Sequence, residues 1–294
     1  MLAALLFLLT PAADAESVTL RHAFAAGDSV LVRIDNDAAL DLRSPEGEQQ
    51  ITHSSSTVRR AEVERVKPDG SGVVVLTIER TRMAADAPDT DRVVYDSRVG
   101  GEVPEMFEGV AGAIGKPLLR MVVTPLGEVT KVEELQGGAN AAATAETAES
   151  VLRSNMQPYI PLPEGAVAVG EKWKDTYKVN ARDESGFPIP VKLQRTFTLK
   201  SLEGGVATVA WRTVVLTPIT DPKVESQVMR REVAGTLTFD ADAGRMTSRE
   251  AVGNRTVVGF AGAGTSMRSV TKRTEALVEN DRVAEDAEPD AARR

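Results

Sequence analysis

Residues 162–177, LPEGAVAVGEKWKDTY, restate the pattern of residues 20–34, LRHAFAAGDSVLVRI. Each begins with Leu, continues through a small or apolar run to a Gly followed by an acid (Gly27-Asp28, Gly170-Glu171), and then enters an apolar-rich run. An internal echo constrains a fold strongly, because each copy has to build the same supersecondary unit. Each copy also leads into the same object. Residues 58–80 are two Val- and Ile-rich runs around Pro68-Asp69-Gly70, and residues 191–216 are two such runs around Gly204-Gly205, so both read as β-hairpins. A second pair matches as well: MVVTPLGEVTKVEE (121–134) turns at Gly127 and TLTFDADAGRMTSREA (236–251) turns at Gly244.

This order predicts a mainly β (α+β) chain of two tandem, similar antiparallel units forming curved sheets or half-barrels, with two short helices. The first unit is expected over 16–136 and the second over 164–279, joined by a helix and Pro-rich linker at 137–163. One helix is expected at 104–115, where Met106, Phe107, Val110 and Ile114 recur at helical spacing behind Pro104. The other is the Ala-rich stretch 141–155, acidic early and basic late, stopped by Pro158, Pro161 and Pro163. Residues 280–294 are charged and small and are expected to be a disordered tail.

Residues 1–15, MLAALLFLLTPAADA, place an eight-residue apolar run before Pro11 and an Ala13-Asp14-Ala15 cleavage pattern, as a secretory signal does. The run is too short for a transmembrane anchor, which needs roughly 20 residues. With no cysteine in the chain, neither a lipid-bearing N-terminus nor a disulfide scaffold is available. An exported protein, periplasmic or extracellular, is the expectation. The formal charge of −8 disfavours nucleic acid as a partner. Arg59-Arg60 and Arg230-Arg231 sit among glutamates and read as solvated strand faces.

Chemistry-bearing residues do not assemble into a motif. His22 and His53 lie in separate segments without ligand-spaced carboxylates, so no metal is expected. His53 precedes Ser54-Ser55-Ser56, but adjacent strand residues face opposite ways and no GxSxG elbow surrounds them. Asp35, Asp37 and Asp41, and the pair Asp240 and Asp242 before Gly244, resemble calcium loops only in part and read better as turn chemistry. The glycines of GFAGAGTS (259–266) are in the wrong order for a dinucleotide loop and suit a hairpin. No catalytic residue and no cofactor is expected. Val73–Ile78 and Val206–Leu216 read as apolar on both sides of the pleat, which points to doubly covered strands or an apolar cavity. Phe107, Val110, Ile114, Trp173 and Trp211 are then the candidate ligand-binding residues.

At YDSR (95–98), KPLLRMVVTPLGEVTKVEEL (116–135) and LPEGAVAVGEKW (162–173) the chain resembles an uncharacterised family of exported bacterial proteins with duplicated β units, many of them lipoproteins. The resemblance implies a non-enzymatic envelope protein, loosely similar in shape to the half-barrels of periplasmic lipoprotein carriers. It supplies no functional residues. The expected function is a non-catalytic binding or carrier module for an apolar small molecule or an envelope protein. A hydrolase using paired carboxylates and a purely structural surface protein are the alternatives. The sequence sets no oligomeric state.

Overall fold

The computed structural model describes residues 16–88, 90–135 and 159–278. The expected helix at 141–155, residues 1–15 and residues 280–294 lie outside the described residues. What is described is mainly β. In chain order the elements are β1 (Ser17–Val18), β2 (Ser29–Ser44), β3 (Gly47–Val66), β4 (Gly72–Asp86), β5 (Val93–Asp96), α1 (Glu108–Ala111), β6 (Pro117–Val123) and β7 (Val129–Glu134). They continue with β8 (Val167–Ala168), β9 (Lys172–Arg182), β10 (Pro188–Glu203), β11 (Val206–Val215), α2 (Pro222–Val228), β12 (Ala234–Asp240), β13 (Arg245–Val258) and β14 (Ser266–Val278). A 3-10 turn, Glu105–Phe107, precedes α1, and another, Met229–Arg231, follows α2.

All four expected hairpins form: β3–β4, β6–β7, β10–β11 and β12–β13. The two meanders do not make separate sheets. β14 pairs with β2 from Ser266 opposite Arg43 to Val278 opposite Leu31, and this joins them into one antiparallel sheet in the order β7-β6-β4-β3-β2-β14-β13-β12-β11-β10-β9, with β5 on β4. Among the described residues β7 pairs only with β6 and β9 only with β10, so the sheet is not closed into a barrel.

Local devices recur at matching places along the two meanders. Gly27 and Gly170 both take positive φ (87° and 91°). The Gly27 N–H donates to the Val63 carbonyl and the Val63 N–H to the Asp28 carbonyl; Gly170, Leu199 and Glu171 repeat that exchange. A bulge follows at Val63/Arg65 in one meander and at Leu199/Ser201 in the other. The later hairpins are bulged at Val122/Val123 and Thr238/Phe239, and in each a Thr hydroxyl, from Thr130 or Thr247, turns back to the carbonyl of Val122 or Thr238 at 3.4 Å. Helices occupy corresponding slots, α1 between β4 and β6 and α2 between β11 and β12. The α2 slot is a helix the sequence reading overlooked, although Asp221 caps it by accepting the Lys223 N–H and Pro222 opens it.

One face of the sheet is apolar. Period-two alternation puts Ala61, Val63, Val74, Leu76, Met121 and Val123 on that face in the first meander, and Phe197, Leu199, Ala207, Val209, Leu237 and Phe239 in the second; all are buried. The two strands expected to be apolar on both sides differ. Val73 and Val74 are both buried, but β11 alternates, with Ala207, Val209, Trp211 and Thr213 buried and Val206 and Arg212 exposed.

Candidate functional site

The N-terminal segment crosses this apolar face as a strap. It starts in the β1–β8 pair, Ser17 opposite Ala168 and Val18 opposite Val167. Leu20 is then fully buried in the core of the second meander. The next two residues tie the strap to one turn from each meander: the His22 N–H donates to the Pro125 carbonyl at 2.7 Å and the Ala23 N–H to the Gly244 carbonyl at 2.9 Å. These are the two turns that correspond along the meanders, and both need glycine. A Cβ on Gly127 would lie 1.9 Å from the Ile160 carbonyl oxygen, and one on Gly244 2.5 Å from the Ala23 Cβ. Residues 159–164 run alongside: the Leu162 N–H donates to the Leu126 carbonyl at 2.9 Å, and Arg21 donates to the Pro163 carbonyl at 2.7 Å.

His22 is the centre of the strap. Its ring lies edge-on to Tyr159 (5.2 Å between centroids) and Phe239 (5.3 Å), and Nε2 is 3.1 Å from the Ile160 carbonyl, a contact that places the proton on Nε2. Burial pushes its pKa down to about 4, against the smaller opposing effect of the Ile160 hydrogen bond, so the ring is neutral at pH 7. His22 is therefore an uncharged, bonded part of the strap.

Beneath the strap a cavity of about 230 Å³ remains between Phe24, Tyr159 and the sheet. Val30, Val32 and Ile34 of β2, Ala61 of β3, Leu76 of β4 and Leu277 of β14 give it an apolar wall. The opposite character comes from Arg59 and Glu275, which line the same space. Glu275 is held by Arg273 (Nε to Oε1, 2.6 Å) and by Arg249 (Nε to Oε1, 3.1 Å). Burial alone would raise the Glu275 pKa, but the charges and hydrogen bonds of Arg249 and Arg273 together hold it below the ordinary carboxylate range. Arg273 continues the polar line to Asn36 at 2.9 Å, and Asn36 donates to Ser55 at 3.2 Å.

Arg59, which the sequence places on a solvated strand face, is half-buried. It shares the inward face with Ala61 and Val63, two and four residues on, and its Nε is buried without a hydrogen-bond partner. Burial, reinforced by Arg273 and Arg249 and opposed by Glu275, pushes its pKa down to about 10, which leaves it cationic at neutral pH.

None of the five residues singled out from sequence lines this cavity. Trp211 is buried in the core of the second meander, and Trp173 stacks on Phe197 at 5.3 Å while its Nε1 donates to the Pro161 carbonyl. The structure brings those two together around Phe197 and keeps Phe107, Val110 and Ile114 apart from them. Phe107 packs near Tyr95, 6.3 Å between ring centroids, Ile114 bridges Ile78 on β4, and Val110 is half-buried. The acidic candidates are turns and strand faces: Asp240 accepts the Ala243 N–H, and Asp41 accepts from Gln50. Among the described residues no three His, Asp or Glu side chains cluster as a metal would need. Residues 259–265 close the β13–β14 hairpin.

A family of unknown function, DUF6263, matches residues 144–247. No curated protein sequence matches the chain. Among solved structures, one described for lipid–protein interactions in lipovitellin is similar at 13% identity and a TM-score of 0.48, over 87% of this chain and 25% of that one; the chain thus spans a quarter of lipovitellin's length. A domain from Vibrio parahaemolyticus described as an outer membrane lipoprotein-sorting protein is similar at 8% identity and a TM-score of 0.14, over 90% of this chain and 92% of that one. A DUF1329 family protein from Desulfovibrio piger gives 9% identity and a TM-score of 0.15, over 84% of each chain. No described helix is long and apolar enough to cross a membrane.

Proposed function

We propose that the protein is an exported, non-catalytic binding or carrier module, and that its ligand is an apolar molecule held under the strap. The observation that carries this reading is the cavity itself: about 230 Å³ of space walled by Val30, Val32, Ile34, Ala61, Leu76 and Leu277. Native interiors close-pack, so a void of this size forgoes the dispersion contacts that a filled core makes. A ligand restores them. The volume falls a little below the roughly 300–1,000 Å³ of drug-sized sites, which suits one aliphatic chain and not a several-chained lipid.

Titration with a neutral, environment-sensitive dye tests this. The wild type should bind it saturably, and Ala61→Phe, which fills the space from the floor, should weaken binding roughly ten-fold or more, the order expected for excluding a few methylenes. Circular dichroism and a urea midpoint establish that the variant is folded. No saturable binding by the wild type would reduce the strap and sheet to a structural core.

A further inference from the structure

Among the described residues, Arg195, Arg249 and Arg273 on the inward face each have a carboxylate partner, and Arg59 has none. Arg195 has Asp175 (Nε to Oδ2, 2.8 Å) and lies 4.7 Å from the centroid of the Tyr177 ring. Arg249 and Arg273 share Glu275. Arg59 has no carboxylate within ion-pair distance among the described residues, and its buried Nε and the buried Nη2 of Arg273 are both without partners. Three guanidinium groups thus gather around one carboxylate that two of them already occupy. A buried donor with no acceptor is costly, and a half-buried charge with no counter-charge adds to that. At the cavity mouth Asp28 and Arg245 are exposed and opposite in sign, so they leave the excess positive charge inside uncancelled.

Resting on the cavity as a ligand site, we infer that the ligand is a single-chain amphiphile whose anionic head, a carboxylate or a phosphate monoester, docks on the Arg59 guanidinium at the polar wall of the cavity. Its chain lies against Val32, Ala61 and Leu277, which line the same space. The planar fork of a guanidinium suits both oxyanions, which place two oxygens in one plane. The head supplies the acceptor that Arg59 Nε lacks and the negative charge that the cluster lacks. A neutral alcohol of equal chain length satisfies the apolar wall and offers a hydroxyl acceptor, but leaves the charge deficit in place.

Competition against the neutral dye, with decanoate, decyl phosphate and decanol as probes, separates an anionic head from apolar binding alone. In the wild type at least one anionic probe should bind roughly ten-fold or more tighter than decanol, the range of a hydrogen bond to a charged group. Which anion is preferred assigns the head. Arg59→Met should remove the preference while retaining decanol binding, and Arg59→Gln is the second neutral variant if the first does not fold. Equal affinity of all three probes for the wild type overturns the anionic head and leaves an apolar carrier. A wild type that binds the anions tighter together with an Arg59→Met protein that still prefers them overturns the assignment to Arg59. Failure of every probe and of the dye removes the carrier reading itself.

Discussion

His22 enters the fold as a neutral ring among Tyr159, Phe24 and Phe239, and that gives the protein an acid limb with a defined position. Its folded pKa of about 4 lies below the unfolded value of 6.5, so the unfolded chain binds the proton first. The stability this provides is complete above pH 6.5, is lost as pH falls through the window between the two values, and is gone below the folded value. The shift amounts to roughly 3 kcal/mol in total, of which about 2 is lost by pH 5. Glu275, held low by its arginines, adds loss in the same direction only below the ordinary carboxylate range. Urea midpoints between pH 7 and 5 should therefore fall in the wild type and stay nearly flat in His22→Gln. Parallel slopes would show that His22 is not the titrating group. Residue-scale chemistry was only partly legible. In VRRAEVERV (58–66) the alternation that faces Ala61 and Val63 inward takes Arg59 with them, a signal present in the sequence. It was masked because an Arg among glutamates looks solvated, and because Glu275, which supplies part of its charge environment, is more than two hundred residues away.

At the scale of elements, glycine turns are where the sequence speaks most clearly. Gly70, Gly127, Gly204, Gly205 and Gly244 all take positive φ at the hairpin turns read from sequence. They are not equivalent in packing, and this can be measured. A Cβ on Gly27, at φ 87°, meets nothing within 4 Å, whereas one on Gly127, at φ 78°, meets the Ile160 carbonyl oxygen and His22 Nε2 at 2.9 Å. Gly27→Ala should cost about 1–2 kcal/mol, the left-handed backbone penalty. Gly127→Ala should cost that and more, roughly 3 kcal/mol or above, since the backbone that seats the strap has to move. Equal losses in urea unfolding would mean that the 159–164 segment yields freely. The helices mark the limit of this legibility. Phe107 in α1's approach was found by its spacing, but α2 is seven residues long, too short for apolar periodicity to stand out, and only its cap Asp221-Pro222 announced it. Their packing partners are long-range: Val224 and Val228 bury against Val179, Val191 and Leu193.

For the whole molecule, the repeat accounts for the two meanders and not for what lies between them. Nothing local in VTKRTEALV (270–278) or LVRIDNDAA (31–39) says that β14 and β2 will pair along their length, because such registers are chosen by the global burial of one apolar face. The strap is hidden for the same reason. His22 and Ala23 read locally as part of a lead-in, and only the assembled sheet gives them the Pro125 and Gly244 carbonyls to bind. The cavity exists because the strap closes over β2, β3 and β14, and the Arg59 Nε is buried beside it. The central claim is that an apolar chain occupies that space, and the most direct measurement is the anomalous scattering of crystals grown with 1-bromodecane. The account predicts a bromine peak or chain density against Val32, Ala61 and Leu277. Density seated instead around Phe107 and Ile114, or on the outer face of the sheet, with the space under the strap left empty, would contradict it.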